Sequence, residues 1–511
     1  TAIAWFTRQS LLPNARWTRT AANWILLLAV LLVAVQIVPL PASWIAWISP
    51  RTAELLPLWN PGGDEPLMGT WKTLSFAPID TTLGLAMLAA YGLLFIVVVQ
   101  RIGNLNDVRR MLSWVALTAV LMAAFGLIQY FTSNGRYFWF YDHPYRSTDH
   151  VACGSFMNRN HFAHFLVLGV GPLIAWLVAT WQSSAVRTSR YQANGISSHL
   201  PALALAASLL MVVLAAALSQ SRGGAVALMV AVVTLSVIYW RWRLVDARYL
   251  FGLAAVGVAL LGVLSIYGYE KVAARLDDLT DGSLEAVDRD AGRREVWAAN
   301  VDAIHAGGLT GAGVGSHMEL SPLYLERPSD RHSTHAENGY LQIATETGWL
   351  GVALLAAGIG LCGGWCVACW RRLHIPAEQI CFGATAAGLA ASLAHSVVDF
   401  VWYIPATMSL TLVLAACTLR LSQFARPEAR REEVQPVLRR PRWLELTAAT
   451  TLAGIWAVYV YAAPALASLP WDRYLNVELA HSQLARRISA ARIAGTEPPD
   501  ASSRPHLVES M

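Results

Sequence analysis

The stretch HAENGYLQIATETGWLG, residues 335–351, joins the two halves of this chain's character. Before it lies the long polar segment 269–338, and after it an apolar run over 349–370. About 20 apolar residues in a helix cross a hydrocarbon core of ~30 Å. Runs of that kind recur at 24–40, 81–100, 112–131, 161–181, 200–218, 224–240, 249–268, 379–398, 406–424 and 443–466. The chain therefore reads as an all-α polytopic membrane protein of about eleven, or twelve, transmembrane helices with one large loop. Its domains fall as 1–268 (spans one to seven), 269–348 (the loop, with helical segments), 349–466 (spans eight to eleven) and a tail, 467–511. Residues 339–348 read as an interfacial helix ahead of the eighth span.

Composition agrees. The 511 residues are 55% apolar and only 14% charged, against about 25% charged in soluble domains, and mean hydropathy is +0.43. The net charge of +5 is spread over short loops and forms no stripe, so nucleic acid is not an expected partner. Lys72 and Lys271 are the only lysines among 38 cations. Of six cysteines only Cys153 lies clearly outside the spans, so no disulfide framework follows. Cys362, Cys366 and Cys369 share one helical face and read as small packing residues.

Charge sets the orientation, because cytoplasmic loops are enriched in Lys and Arg. With the N-terminus inside, every inner segment is basic: Arg8, Arg16 and Arg19; Arg101, Arg109 and Arg110; Arg187 and Arg190; Arg241, Arg243 and Arg248; Arg371 and Arg372; and six arginines over 426–442. The outer turns are sparser, with Arg222 alone after the fifth span and no cation in 399–405. The long loop then faces outward with thirteen acids and seven bases, a net charge of −6. Within it, Val296, Trp297, Asn300, Val301 and Ile304 predict a helix over 293–305. Trp44, Trp47, Trp59 and Trp71 suit the membrane interface. Residues 471–493 suit an amphipathic helix.

Four polar groups gather on the outer side. In Ser155–Phe165, Arg159 can meet an anion and Asn158 or Asn160 can bind sugar hydroxyls; the competing reading is a helix cap with Arg159 reaching headgroups. His161 and His164 stand three apart, but no carboxylate lies near them in sequence to complete a metal site. In Ser219–Gly224, Arg222 falls at or just above the bilayer edge. There it is either a helix-end residue or a contact for a lipid-linked phosphate. In Gly292–Glu295, Arg293 opens a helix, where a cation opposes the dipole. In the fourth group, His335 is a candidate general base with an ordinary pKa near working pH, and Glu337 stands two residues on. Asn338 and Tyr340 follow as candidate substrate contacts. His317, His332 and His335 do not have the spacing of a zinc site. The glycine run 311–315 lacks the Lys-Ser/Thr ending of a nucleotide loop and reads as a tight turn.

SFMNRNHFAHFL (155–166), LSQSRGGAVAL (218–228), GRREVWAANVDAIHAGGLTGAGVGS (292–316) and HAENGYLQIATETGWLG (335–351), in this order, resemble the bacterial O-antigen ligase and polymerase superfamily. The resemblance implies a membrane glycosyltransferase with a large periplasmic loop. It implies a glycan donor linked to undecaprenyl diphosphate, metal-independent inverting transfer and no cofactor. The acceptor is then a lipid A core sugar in a ligase, lipid-linked glycan in a polymerase, or a protein in an O-glycosylating relative. It further implies the bacterial inner membrane, with the N-terminus cytoplasmic and the active site periplasmic. Carried over by motif, His335 matches the family's loop histidine, Arg222 the arginine after the serine, and Arg293 the basic residue opening the loop helix. Members often read His-Ala-His-Asn where this chain has His335-Ala336-Glu337-Asn338. The base is thus His335 or Glu337, with Arg222, Arg293 and Arg159 on the diphosphate and Asn158, Asn160, His161, Asn338 and Tyr340 on the sugars. A transporter or channel is the rival class, but such proteins place charge midway through broken helices, and here the polar residues cluster at one face.

Overall fold

The computed structural model describes residues 18–55, 73–143, 146–191, 199–245, 291–325, 334–426 and Gly454. The chain divides into a unit of residues 17–435 and a second of 1–16 with 436–511. All described residues except Gly454 belong to the first. The expected span 249–268, the span 443–466 apart from Gly454, and the tail 467–511 lie outside the described residues, as do Trp59, Trp71 and His332.

Among the described residues the regular structure is helical, apart from two isolated bridges, Tyr137 with Tyr141 and His143 with Arg146. The helices are α1 (Ala22–Ile37), α2 (Ala42–Ile48), α3 (Pro50–Leu55), α4 (Pro78–Arg101), α5 (Leu105–Phe131), α6 (Arg159–Tyr191), α7 (Leu200–Leu218) and α8 (Arg222–Arg241). Next come α9 (Ala291–Gly307), α10 (His317–Leu320), α11 (Gly339–Arg372), α12 (Pro376–His395) and α13 (Pro405–Phe424). Their starts follow from local chemistry. Proline occupies the first turn of α4, α7, α12 and α13, where a missing N–H costs nothing. Asn104, Ser221 and Asn338 cap α5, α8 and α11 by accepting backbone N–H bonds, as short polar side chains do at helix starts.

Seven described helices are long and apolar enough to cross a membrane: α4, α5, α6 over Arg159–Ser183, α7, α8, α11 and α13. The chain is a multi-pass helical membrane protein. Two expected spans fall short. α1 has 16 residues. α12 has 20, but carries Glu378 and Gln379 and is built largely of alanine and glycine.

That composition explains where α12 sits. It packs against α6, α8 and α13 and is buried along almost its whole length. A Cβ at Gly171 would lie 2.7 Å from Ala384 O, and one at Gly383 2.5 Å from the Tyr239 ring. Inside a bilayer, helices gain little from hydrophobicity and associate through such close contacts of small residues. The outward faces instead carry exposed Leu28, Leu31, Leu83, Leu121, Leu210 and Val233, as lipid-facing surfaces require.

The two ends of the bundle differ. At one end Arg420 donates from Nε to Ile102 O at 2.7 Å and from Nη1 to Thr18 Oγ1 at 3.2 Å. At the other, the turns assigned to the outer side by charge meet one another: Asn160, Ser221, Gly339 and Asp399 are hydrogen-bonded together.

α11 is broken near its start. Gly348 has φ 61° and ψ −162°, a conformation open only to glycine, so 339–347 forms a separate short helix, as the sequence suggested. The break strands helical carbonyls, which need partners. Ala312 N donates to Thr345 O at 3.1 Å and Gly313 N to Glu346 O at 2.9 Å. Gln36 Nε2 donates to both Glu346 O and Thr310 O. The glycine run is therefore a tight turn clamped on the broken helix. Gly311, Gly313 and Gly315 all have positive φ, and a Cβ at Gly311 would sit 2.5 Å from Glu346 C. The helix expected at 293–305 is α9, which packs on α11, above a small apolar cluster of Leu55, Phe76, Ala303, Ala312 and Leu320.

Gly311→Ala should thus lower stability by about 1–3 kcal/mol, from overpacking and strained φ. Gly358→Ala, in the open part of the same helix α11 with nothing within 4 Å of its added Cβ, should be neutral or stabilising. Thermal unfolding of both variants in detergent checks this; equal Tm values would remove the clamp.

Candidate functional site

The site is assembled around Asp399, in the turn between α12 and α13 and 0% exposed. Asn160 donates from Nδ2 to Oδ2 at 2.7 Å, and Phe400 N donates to Oδ1 at 2.7 Å. His161 Nε2 faces Oδ1 at 3.1 Å; against a carboxylate that nitrogen carries the proton. Burial alone would raise the Asp399 pKa, but these donors together hold it below the usual carboxylate value. The backbone joins in, with Gly339 N donating to Asp399 O at 3.1 Å and to Ser396 O at 2.8 Å. Asn160 Oδ1 accepts from Ser221 Oγ at 2.8 Å, and Ser221 Oγ accepts from Gly224 N at 2.9 Å. Asp399, through its carboxylate, its carbonyl and the bridging Asn160, thus draws together the start of α6, the turn before α8 and the start of α11.

His335 is seated on this hub through aromatic rings. It stacks on Phe400 with centroids 4.0 Å apart and an interplanar angle of 8°. Tyr403 meets it edge-on at 5.7 Å, and His161 meets the same Phe400 at 4.9 Å. Its Nδ1 lies 3.0 Å from Thr334 Oγ1. The sequence predicted an ordinary histidine pKa. Instead burial, reinforced by nearby His317 and His161, lowers it to about 4, with Asp399 opposing. His335 is therefore neutral across the physiological range. Beside it Glu337 has φ 52°, an uncommon left-handed backbone for a non-glycine residue, in the turn that leads to the Asn338 cap.

The predicted arginines divide. Arg159 and Arg222 are exposed, each adjacent in sequence to a residue of the hub, Asn160 and Ser221. Arg222 is the first residue of α8, where it opposes the helix dipole. Arg293 lies in the first turn of α9, and its side chain is outside the described atoms. α9 is fastened to α11 by Asn300, whose Oδ1 accepts from Thr345 Oγ1 at 2.8 Å and whose Nδ2 lies 3.0 Å from His317 Nε2. His317 is thereby a buried structural residue.

The predicted sugar contacts carry structural duties. Asn158 Oδ1 accepts from Asn160 N at 2.9 Å. Asn338 is buried and accepts from Tyr340 N and Leu341 N. The Tyr340 hydroxyl donates to Leu393 O at 3.0 Å, with its ring edge-on to Trp402. Asn160 and His161 spend their side chains on Asp399.

Sequence reasoning passed over Asp399, Glu346, Gln342 and Tyr403. Asp399 is a single acid closing an apolar run with no base nearby, and an acid in such a setting implies a partner. Glu346 gave the same signal inside the ATETG stretch. Neither could be linked to His161, 238 residues away from Asp399.

A multi-helix membrane protein with a polar, charge-bearing cluster at one end of its bundle is the class defined so far. Residues 206–356 match the family model described as O-antigen ligase. Over that segment the resemblance to the O-antigen ligase and polymerase superfamily holds, a family of glycosyltransferase-type enzymes. The match contains Arg222, Arg293, His335 and Glu337, but neither Asn160 nor Asp399. Comparison with curated proteins finds no match.

Because the folded state favours neutral His335, its contribution to stability is present above about pH 6.5, the unfolded value. It is lost as pH falls toward about 4. Histidine NMR should show one imidazole titrating near the latter value, absent in His335→Gln. An imidazole at an ordinary value would contradict the seating.

Proposed function

We propose that this chain transfers a glycan from a polyprenyl-diphosphate donor to an acceptor hydroxyl, in the manner of an O-antigen ligase. Undecaprenyl diphosphate is the donor carrier and a lipid A core sugar the acceptor. The observation that carries the reading is that a neutral, ring-seated histidine stacks on the ring held at Asp399, while two exposed arginines stand next in sequence to hub residues Asn160 and Ser221. The match over 206–356 supports the same class.

In the reaction, the acceptor oxygen attacks the anomeric carbon from the face opposite the diphosphate. The new C–O bond forms as the bond to the diphosphate oxygen breaks. The leaving group takes the electron pair, and Arg222, Arg159 and Arg293 stabilise its charge. The acceptor's proton passes to neutral His335, with Glu337 the alternative base. Stabilising a departing diphosphate with fixed cations needs no proton delivery to it, and the lipid tail remains in the bilayer beside the helix ends. The site faces the periplasm in this reading, consistent with the acidic loop and basic inner segments.

Purified protein should transfer undecaprenyl-diphosphate glycan to lipid A core, with the product read by mass spectrometry. Arg222→Ala should cost about 10²–10³ in kcat, as loss of one charge-stabilising donor does. His335→Ala should cost about 10²–10⁴. A ladder of lengthened lipid-linked glycan would make the chain a polymerase. Undiminished transfer by His335→Ala would move the base role to Glu337. Transfer to neither acceptor, with solute flux in liposomes, would replace the enzyme reading by a transporter.

A further inference from the structure

We propose that Glu346 is a positioning residue for His335, bracing it from two directions without touching substrate. The proposal rests on the transfer reading for its kinetic consequences and on geometry for the brace itself.

Glu346 lies in the short helix 339–347, two residues before the break at Gly348, and is 0% exposed. Its Oε1 accepts from Gln342 Nε2 at 2.5 Å. The other end of that amide, Gln342 Oε1, accepts from Ala336 N at 2.5 Å, the first backbone amide after His335. Its Oε2 accepts from the Tyr403 hydroxyl at 2.8 Å, and the Tyr403 ring stands edge-on to His335. One arm of the carboxylate therefore fixes the backbone that carries the imidazole, and the other fixes a ring that walls it. The second wall, Phe400, is held by its own amide on Asp399.

The residue type matters. Both neighbours present donors to Glu346, and a carboxylate has two acceptor oxygens to meet them. A glutamine keeps one acceptor and replaces the other with an N–H₂ group, so the Tyr403 hydroxyl must turn from donor to acceptor and that arm is reversed. A buried carboxylate is costly unless fully bonded; here both oxygens are used, and the bonds run toward a reacting group rather than into the apolar core. The anchor is itself immobile, because Glu346 O is clamped by Gly313 N and Gln36 Nε2. The broken helix thus transmits the rigidity of the glycine clamp to the histidine.

Two variants test this. Glu346→Gln reverses the pairing with Tyr403, and Tyr403→Phe removes that arm outright while keeping the ring. Each should lower kcat about ten- to a hundredfold, the cost of a misplaced reacting group, with donor KM within about twofold. In a His335→Ala background each should cost nothing further, since residues acting through one group are not additive. Independently of turnover, diethyl pyrocarbonate should modify His335 faster in both variants than in wild type, with exposed His150 unchanged as the internal standard.

The same fractional loss with and without His335, a change confined to KM, or unaltered modification of His335 would each overturn the brace. If Glu346→Gln fails to fold, Tyr403→Phe decides alone. If wild-type protein transfers no glycan, the transfer reading falls, and the modification rates still decide whether Glu346 positions His335.

Discussion

A carboxylate buried among apolar helices has to be answered by donors, and Asp399 is answered from three directions. Its two oxygens and its carbonyl accept from Asn160, His161, Phe400 N and Gly339 N. None of these is a full cation held by an ion pair of arginine or lysine, so the charge is met by dipoles and one imidazole N–H. Removing such a charge's partners leaves it uncompensated, which costs several kcal/mol. The ends of α6, α8, α11 and the α12–α13 turn therefore cannot drift apart independently. The same bonds set the register of residues with no contact to Asp399: Arg159 and Arg222 stand next to bonded positions, and His335 lies on the ring that Asp399 holds by its amide.

The second constraint is the break at Gly348. A continuous helix from Gly339 would satisfy its own carbonyls and leave nothing for the preceding polar segment to bind. By breaking, it exposes the Thr345 and Glu346 carbonyls, and the glycine run docks there because its residues have no Cβ to keep the two backbones apart. Gln36, from α1, is bonded to both strands of this contact through Thr310 O, Glu346 O and Val314 N. A helix from the start of the chain and a turn some 280 residues later are thereby locked to the same kink.

Much of this was legible in the sequence, for reasons that depend on local physics. Helix positions followed from apolar length. The helix of 293–305 followed from its periodicity, and the tight glycine turn from residue type. That the turns bearing Asn160, Arg222 and His335 share one end followed from the alternation of arginine along the chain. What escaped was long-range. Asn160 and Asn338 were read as sugar contacts because polar residues at a helix start advertise hydrogen-bonding capacity, and no local signal says whether that capacity is spent on a cap, a buried acid or a ligand. The ordinary pKa expected of His335 failed because it depends on Phe400 and Tyr403, which only the folded chain places against it.

That pKa ties the site's chemistry to its packing. A histidine free in water would be partly protonated below neutrality, and a charged imidazole is useless as a proton acceptor. Enclosing it between Phe400 and Tyr403 removes the proton by desolvation and fixes the ring at the same time. The cost is basicity: an imidazole pushed down to about 4 accepts a proton less readily than one tuned near 7. That cost is tolerable only where the transferring bond breaks early and the acceptor proton is lost late, as with a good leaving group. A diphosphate stabilised by cations is such a leaving group. In the proposed reaction the weak base and the exposed arginines are thus complementary, each making the other sufficient.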